Sequence, residues 1–128
     1  MDYLTELNKS QRLAAETTDG PLLVLAGAGA GKTKTVTHRI LHIIAQKKAF
    51  PEQILAVTFT NKAAKEMRER VSALLLAEGF ERLGSPMVAT FHTLCVFILR
   101  QYAAEARLSR HFTIYDRTDS LRALKEAC

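Results

Sequence analysis

Cysteine is scarce in this 128-residue chain. Cys95 and Cys128 are its only two, far apart and not in a Cys-x-x-Cys arrangement. Neither a disulfide framework nor a thiolate zinc site is indicated, and a reducing, cytoplasmic setting is expected. Long apolar runs are also missing: the longest has about six residues, against the ~18–20 of a membrane-spanning helix. No partnership with a membrane is therefore expected. The opening Met-Asp-Tyr-Leu-Thr-Glu-Leu-Asn has no basic stretch ahead of an apolar core, so no secretory signal is read there. Repeats and low-complexity tracts are absent. What remains is a globular composition, 48% hydrophobic and 24% charged, able to bury a core of about one domain. Lys and Arg number 18 against 13 Asp and Glu, a net charge of +5 that suits a polyanionic partner.

Short apolar runs alternate with longer helical periods, which predicts an α/β fold built from βαβ units around a parallel sheet flanked by helices. Asn8 is placed to cap a helix over Lys9–Ala15, and Asp19-Gly20-Pro21 to turn the chain afterwards. Leu22–Leu25 is apolar on both faces and is expected to be a buried strand. A helix is expected from Gly31 to Gln46, with Val36, Ile40, Ile43 and Ile44 on its buried face. Ile54–Val57 reads as a second strand, running into Thr58-Phe59-Thr60. Asn61 is expected to cap a third helix, with a stripe of Ala64, Met67, Val71, Leu74 and Leu75, and Gly79 to stop it. Met87–Thr90 reads as a strand and Leu94, Phe97, Ile98 and Tyr102 as one face of a further helix. Phe112–Tyr115 has weak extended character, and Asp116 begins a last helical stretch.

The segment Ala26-Gly27-Ala28-Gly29-Ala30-Gly31-Lys32-Thr33 matches the phosphate-binding loop G-x-x-x-x-G-K-[ST], with Ala26 in place of the first glycine. Small residues let consecutive backbone N–H groups turn inward around phosphate oxygens. The following helix points its positive end at the same place. Lys32 can carry a point charge to the β- and γ-phosphates, and the Thr33 hydroxyl can be a ligand of Mg²⁺. ATP and Mg²⁺ are therefore the expected cofactors. The loop alone does not name the reaction, because many unrelated activities use it.

Several segments together resemble the UvrD/Rep-type DNA helicases of superfamily 1. Leu7-Asn8-Lys9-Ser10-Gln11 with Ala14-Ala15 is similar to that family's glutamine motif, which implies that Gln11 reads the adenine edge with its paired donor and acceptor. The alanine-first loop is the family's usual form. The family commonly follows Gly-Lys-Thr with an arginine that stacks on the base; here Lys34 stands at that cofactor-binding position, without the flat guanidinium plane. Thr58-Phe59-Thr60-Asn61-Lys62-Ala63-Ala64 resembles the family's first DNA motif, and Thr90-Phe91-His92-Thr93-Leu94-Cys95 its next. The resemblance implies DNA contact by Phe59, Thr60, Asn61, Lys62, Phe91 and His92, through stacking and phosphate contacts. Packing of Phe59 and Phe91 in the core, with Asn61 serving only as a cap, is the alternative. Phe112-Thr113-Ile114-Tyr115-Asp116 resembles the entry to the family's inserted helical subdomain.

The resemblance covers nearly the whole chain, with four motifs in family order. It implies a partial RecA-like phosphate-loop domain over residues 1–110 and the start of the inserted subdomain over 111–128. It further implies a Mg·ATP-driven 3′-to-5′ single-strand translocase of DNA repair or replication. Its substrates would be single-stranded DNA and duplex/single-strand junctions, with other repair or replication proteins as possible company. Lys32 and Thr33 are its expected catalytic residues in this chain.

Such a motor also needs an Asp-Glu pair ending an apolar strand to hold Mg²⁺ and orient water, and an arginine finger. Neither is identified, Ile114-Tyr115-Asp116 being too isolated to serve. The chain is thus expected to be the opening part of a longer motor and nearly inactive by itself. A phosphate-loop nucleotide or metabolite kinase and a non-catalytic ATP- or DNA-binding module are the competing readings. No basic lid or acceptor pocket is found for the kinase. His38 and His42 are spaced i,i+4, but no glutamate follows the first and no third ligand is apparent, so they read as a solvated or partly packed face. Lys62, Lys65, Arg68 and Arg70, with Glu66 and Glu69, read as a salt-bridged exposed face, and Cys95 as a packed thiol.

Overall fold

The computed structural model describes residues 2–27, 31–114 and 117–127. The expectations for Ala28, Gly29 and Ala30 of the loop, and for Tyr115, Asp116 and Cys128, lie outside the described residues. The chain divides into two compact units, Met1–His92 and Thr93–Cys128. No described helix is long and apolar enough to cross a membrane.

In the first unit, α1 spans Lys9–Glu16. Asn8 caps it as expected, in a reciprocal capping box: its side-chain oxygen accepts from the Gln11 backbone N–H at 2.9 Å, and the Gln11 Oε1 accepts from the Asn8 N–H at 3.0 Å. Helix α2 spans Lys32–Ala45 and α3 spans Asn61–Ala77, with β1 at Leu55–Thr58 and β2 at Met87–Thr90. The strands pair in parallel with Leu55 opposite Met87 and Thr58 opposite Thr90. Parallel pairing requires a crossover, and α3 is that crossover. It ends as expected: Gly79 takes φ +78°, and Phe80 N–H returns to the Leu75 carbonyl at 2.8 Å. The core joins Ile40, Leu41 and Ile44 of α2 to Met67, Val71 and Leu75 of α3, over Ala56 and Val88 of the strands. A smaller cluster of Leu4, Leu7 and Ala15, with Tyr3 packed on it, backs the N-terminal segment. The architecture is a two-stranded parallel sheet with helices.

Four expectations for this unit are corrected. Leu22–Leu25 forms no strand. Leu22 and Val24 line a cavity of ≈ 460 Å³ beside β1, while Leu23 and Leu25 are 81% and 87% exposed. A strand apolar on both faces needs a layer over each, and no described residue covers the second face. The buried face of α2 includes Ile40 and Ile44 as expected, but it does not include Val36. Thr35, Thr37, His38 and Leu41 are buried, and Val36 is 41% exposed. Thr37 Oγ1 and His38 Nδ1 both reach the Lys34 carbonyl, at 3.0 and 2.8 Å, so these polar side chains satisfy themselves within the helix and can be buried there. The cap of α3 is Thr60 rather than Asn61: its Oγ1 accepts from Ala63 N–H at 3.0 Å, and Asn61 is the first helical residue. The charged face of α3 is not salt-bridged among the described residues. Its Lys62–Glu66 and Lys65–Glu69 spacings run lysine first, the weaker direction on a helix, and Glu66–Arg70, which runs acid first, is also unpaired. Arg68 instead donates from Nη1 to the Val88 carbonyl at 2.8 Å.

Helix α4 (Phe91–Gln101), which begins in the first unit and continues into the second, and α5 (Arg117–Ala127) of the second unit bury none of their residues. Cys95 is therefore an exposed thiol and not a packed one. Residues 112–114 form no strand; Phe112 N–H closes a turn onto the Ser109 carbonyl at 3.1 Å.

Candidate functional site

Two groups of side chains stand out in the first unit. The first gathers around the start of α2. Gly31 is the cap residue there, at φ +75° and ψ +29°, a left-handed conformation that glycine adopts without steric cost. No side chain caps this helix, and its first turn holds no acidic residue. The leading N–H groups of a helix have no intrahelical acceptor, so this end is an open positive pole for an anion. Lys32 is exposed, and the Thr33 side chain is half-buried; neither has a hydrogen-bonding or ion-pair partner among the described residues. Thr33 thus offers the oxygen that a hard cation such as Mg²⁺ takes. A phosphate chain neutralised by Lys32, with a metal on Thr33, fits this end of α2.

Gln11 lies against the same point. A Cβ on residue 31 would sit 2.5 Å from the Gln11 Nε2, so φ favours glycine and any side chain would also push this flexible amide aside. Ala26 is half-buried and Gly27 exposed on the approach to the loop. Lys34 is turned to the N-terminal segment, its Nζ donating to the Glu6 carbonyl at 3.0 Å and standing 4.0 Å from the Glu6 carboxylate. Arg39 ties the same helix to α1, donating twice to the Thr17 carbonyl at 3.0 and 3.2 Å. Glu6 and Arg39 carried no motif signal in the sequence; a charged residue that serves a backbone carbonyl has no pattern to read.

The second group sits at the carboxyl ends of the two strands. Parallel register brings the two strand ends level, so the turns after Thr58 and Thr90 lie side by side. Phe59 and Phe91 meet there with ring centroids 5.2 Å apart and planes tilted by 41°. Phe59 is 90% exposed and Phe91 50% exposed, so neither is a core residue. Thr60, Asn61 and Lys62 are exposed at the first turn of α3, and His92 at the first turn of α4. Thr60 is committed to its cap, and Thr58 Oγ1 donates to the Thr60 carbonyl at 3.1 Å, which stiffens the turn under Phe59. Of the six expected DNA-contacting residues, all are at this end of the sheet. Arg68, read only as surface charge, holds β2 to α3 beneath it.

Fold and site together define an α/β domain with an uncapped helix end at Gly31 and an exposed aromatic pair at its strand ends. The family model for the UvrD/REP helicase N-terminal domain matches residues 7–128, and the chain belongs to that family. It is 48% identical over 122 residues to the ATP-dependent DNA helicase PcrA of Bacillus subtilis, which is 95% of this chain and 16% of that protein. Against the protein of the same name from Staphylococcus aureus it is 45% identical over 123 residues, and against that from Leuconostoc citreum 49% over 118. The chain thus spans about a sixth of the length of these relatives.

Proposed function

We propose that this chain is the ATP-binding and single-stranded-DNA-contacting N-terminal portion of an ATP-dependent 3′-to-5′ DNA helicase of DNA repair or replication, working in the cytoplasm. The observation that carries the reading is the uncapped, acid-free start of α2 at Gly31-Lys32-Thr33, with the Gln11 amide packed against it. The relatives' printed names support it. Residues 1–110 belong on this reading to a RecA-like domain, and 111–128 to the start of an inserted helical subdomain.

Gln11 reads the adenine edge, and the backbone from Ala26 through Ala30, with Gly31, cradles the phosphates. Lys32 holds the β- and γ-phosphates and balances charge as the terminal phosphoryl group passes to water. Thr33 holds Mg²⁺, which when bound supplies further neutralisation of the phosphate oxygens. Lys34 borders the base as a point charge rather than a stacking plane. Phe59 and Phe91 offer π-faces to unpaired bases, and Thr60, Asn61, Lys62 and His92 offer donors to the backbone. A strand crossing these turns at a junction is gripped or released as the nucleotide site fills and empties.

The test is ATP hydrolysis by the full-length protein, measured alone, with single-stranded DNA, and with nucleosides. Stimulation by the DNA and indifference to nucleosides is expected. Hydrolysis indifferent to DNA but raised by a nucleoside acceptor would overturn the reading in favour of a kinase.

A further inference from the structure

The second unit contains a cationic groove whose arginines none of the motifs includes. It is an open cavity of ≈ 730 Å³ along α4, lined by Thr93, Phe97, Arg100 and Gln101 on the helix and by Arg110 and His111 from the segment after it. Among the described residues no carboxylate lines it. Among the described residues neither Arg100 nor Arg110 has an ion-pair partner. The Arg100 guanidinium stands 5.3 Å from the centre of the Phe112 ring, which fixes it over an aromatic face and leaves its donor edge available. Phe97 is 51% exposed on the same wall.

Unpaired guanidiniums suit phosphates, which accept their planar fork of donors. An exposed ring beside them suits a base. The combination of a positive groove with an aromatic wall is how proteins hold a single nucleic-acid strand without reading its sequence. We propose that this groove is a second contact for single-stranded DNA, in which Arg100 and Arg110 each neutralise one phosphate and Phe97 meets a base. The proposal rests on the helicase reading and adds to it a site outside the two strand-end turns.

The test is fluorescence anisotropy of a labelled oligothymidylate with the full-length protein, titrated over a range of salt. The Arg100→Gln/Arg110→Gln double variant is expected to bind roughly tenfold more weakly at low salt. Its plot of log affinity against log salt should be shallower by about 1.4, since each phosphate contact to a single strand contributes ~0.7 to the slope. The Arg100→Lys/Arg110→Lys variant keeps both charges and should recover the slope. A double glutamine variant with unchanged slope and affinity would overturn the groove while leaving the helicase reading intact. A wild-type protein that bound no single-stranded DNA would overturn both.

Discussion

Thr60 illustrates how a single side chain sets the geometry of the strand-end turn. Its Oγ1 closes the first turn of α3 on Ala63 N–H, and its carbonyl accepts from Thr58 Oγ1. Phe59, held between these two bonds, therefore projects into solvent at 90% exposure rather than folding back on the sheet. Replacing Thr60 by Ala should cost about 1 kcal/mol of stability through loss of the cap, and Thr60→Ser, which keeps the hydroxyl, should cost much less. Urea denaturation followed by circular dichroism compares the two; equal losses would contradict the cap. The sequence placed the helix start here but assigned the cap to Asn61, because Thr and Asn are both good caps and stand next to each other. Which oxygen meets the N3 amide depends on the φ and ψ of the turn, and these do not show in residue types. Gly31 was more legible. Its glycine is favoured locally by φ +75°, and the close approach of Gln11 then adds a reason that only the folded chain supplies.

Among the elements, helix α2 is the central packing member of the first unit. It is covered by α1 on one side and α3 on another, and Leu41, 1% exposed, lies at its centre. Leu41→Ala should cost about 2–5 kcal/mol, since truncating a buried leucine removes its transfer energy and leaves a cavity. Val36, half out of the core at 41% exposure, should cost under about 1 kcal/mol when cut to Ala, on the area it buries. Thermal unfolding of the two variants distinguishes the observed face from the one expected from hydropathy, which would rank Val36 at least equal. Hydropathy found Ile40 and Ile44 but missed Thr37 and His38, which score as polar and yet bond to their own helix at the Lys34 carbonyl. The β1–α3–β2 unit was read nearly residue for residue, since its strands are short apolar runs bounded by turns and its helix has a clear stripe. Leu22–Leu25 has the same signature, but strand formation depends on a pairing partner and on a covering layer, and neither is a property of the run itself.

For the whole molecule, the proposed phosphate site at the start of α2 is joined to the aromatic surface at the strand ends of the β1–α3–β2 unit. The coupling between them has a physical route. The loop enters α2, α2 packs on α3, and α3 begins at the Phe59 turn and holds β2 through Arg68 and the Val88 carbonyl. A change in phosphate occupancy can thereby reach both strand-end turns through packed elements. The family and the order of the motifs were legible in the sequence because glycine loops and strand-end turns carry short-range patterns. The cationic groove on α4 was not, because Arg100 and Arg110 are brought together only by the turn between them. Lys32 is where the account is most exposed. On the proposed reading it carries the mobile charge at the phosphate site, and it has no structural bond to lose among the described residues. Unwinding of a 3′-tailed DNA duplex by the full-length protein, with and without Lys32→Ala, is therefore the decisive measurement. The account predicts that the substitution lowers the ATP-dependent unwinding rate by at least about a hundredfold, the scale of losing one charge-stabilising group. Unwinding at the wild-type rate by the Lys32→Ala protein would contradict it.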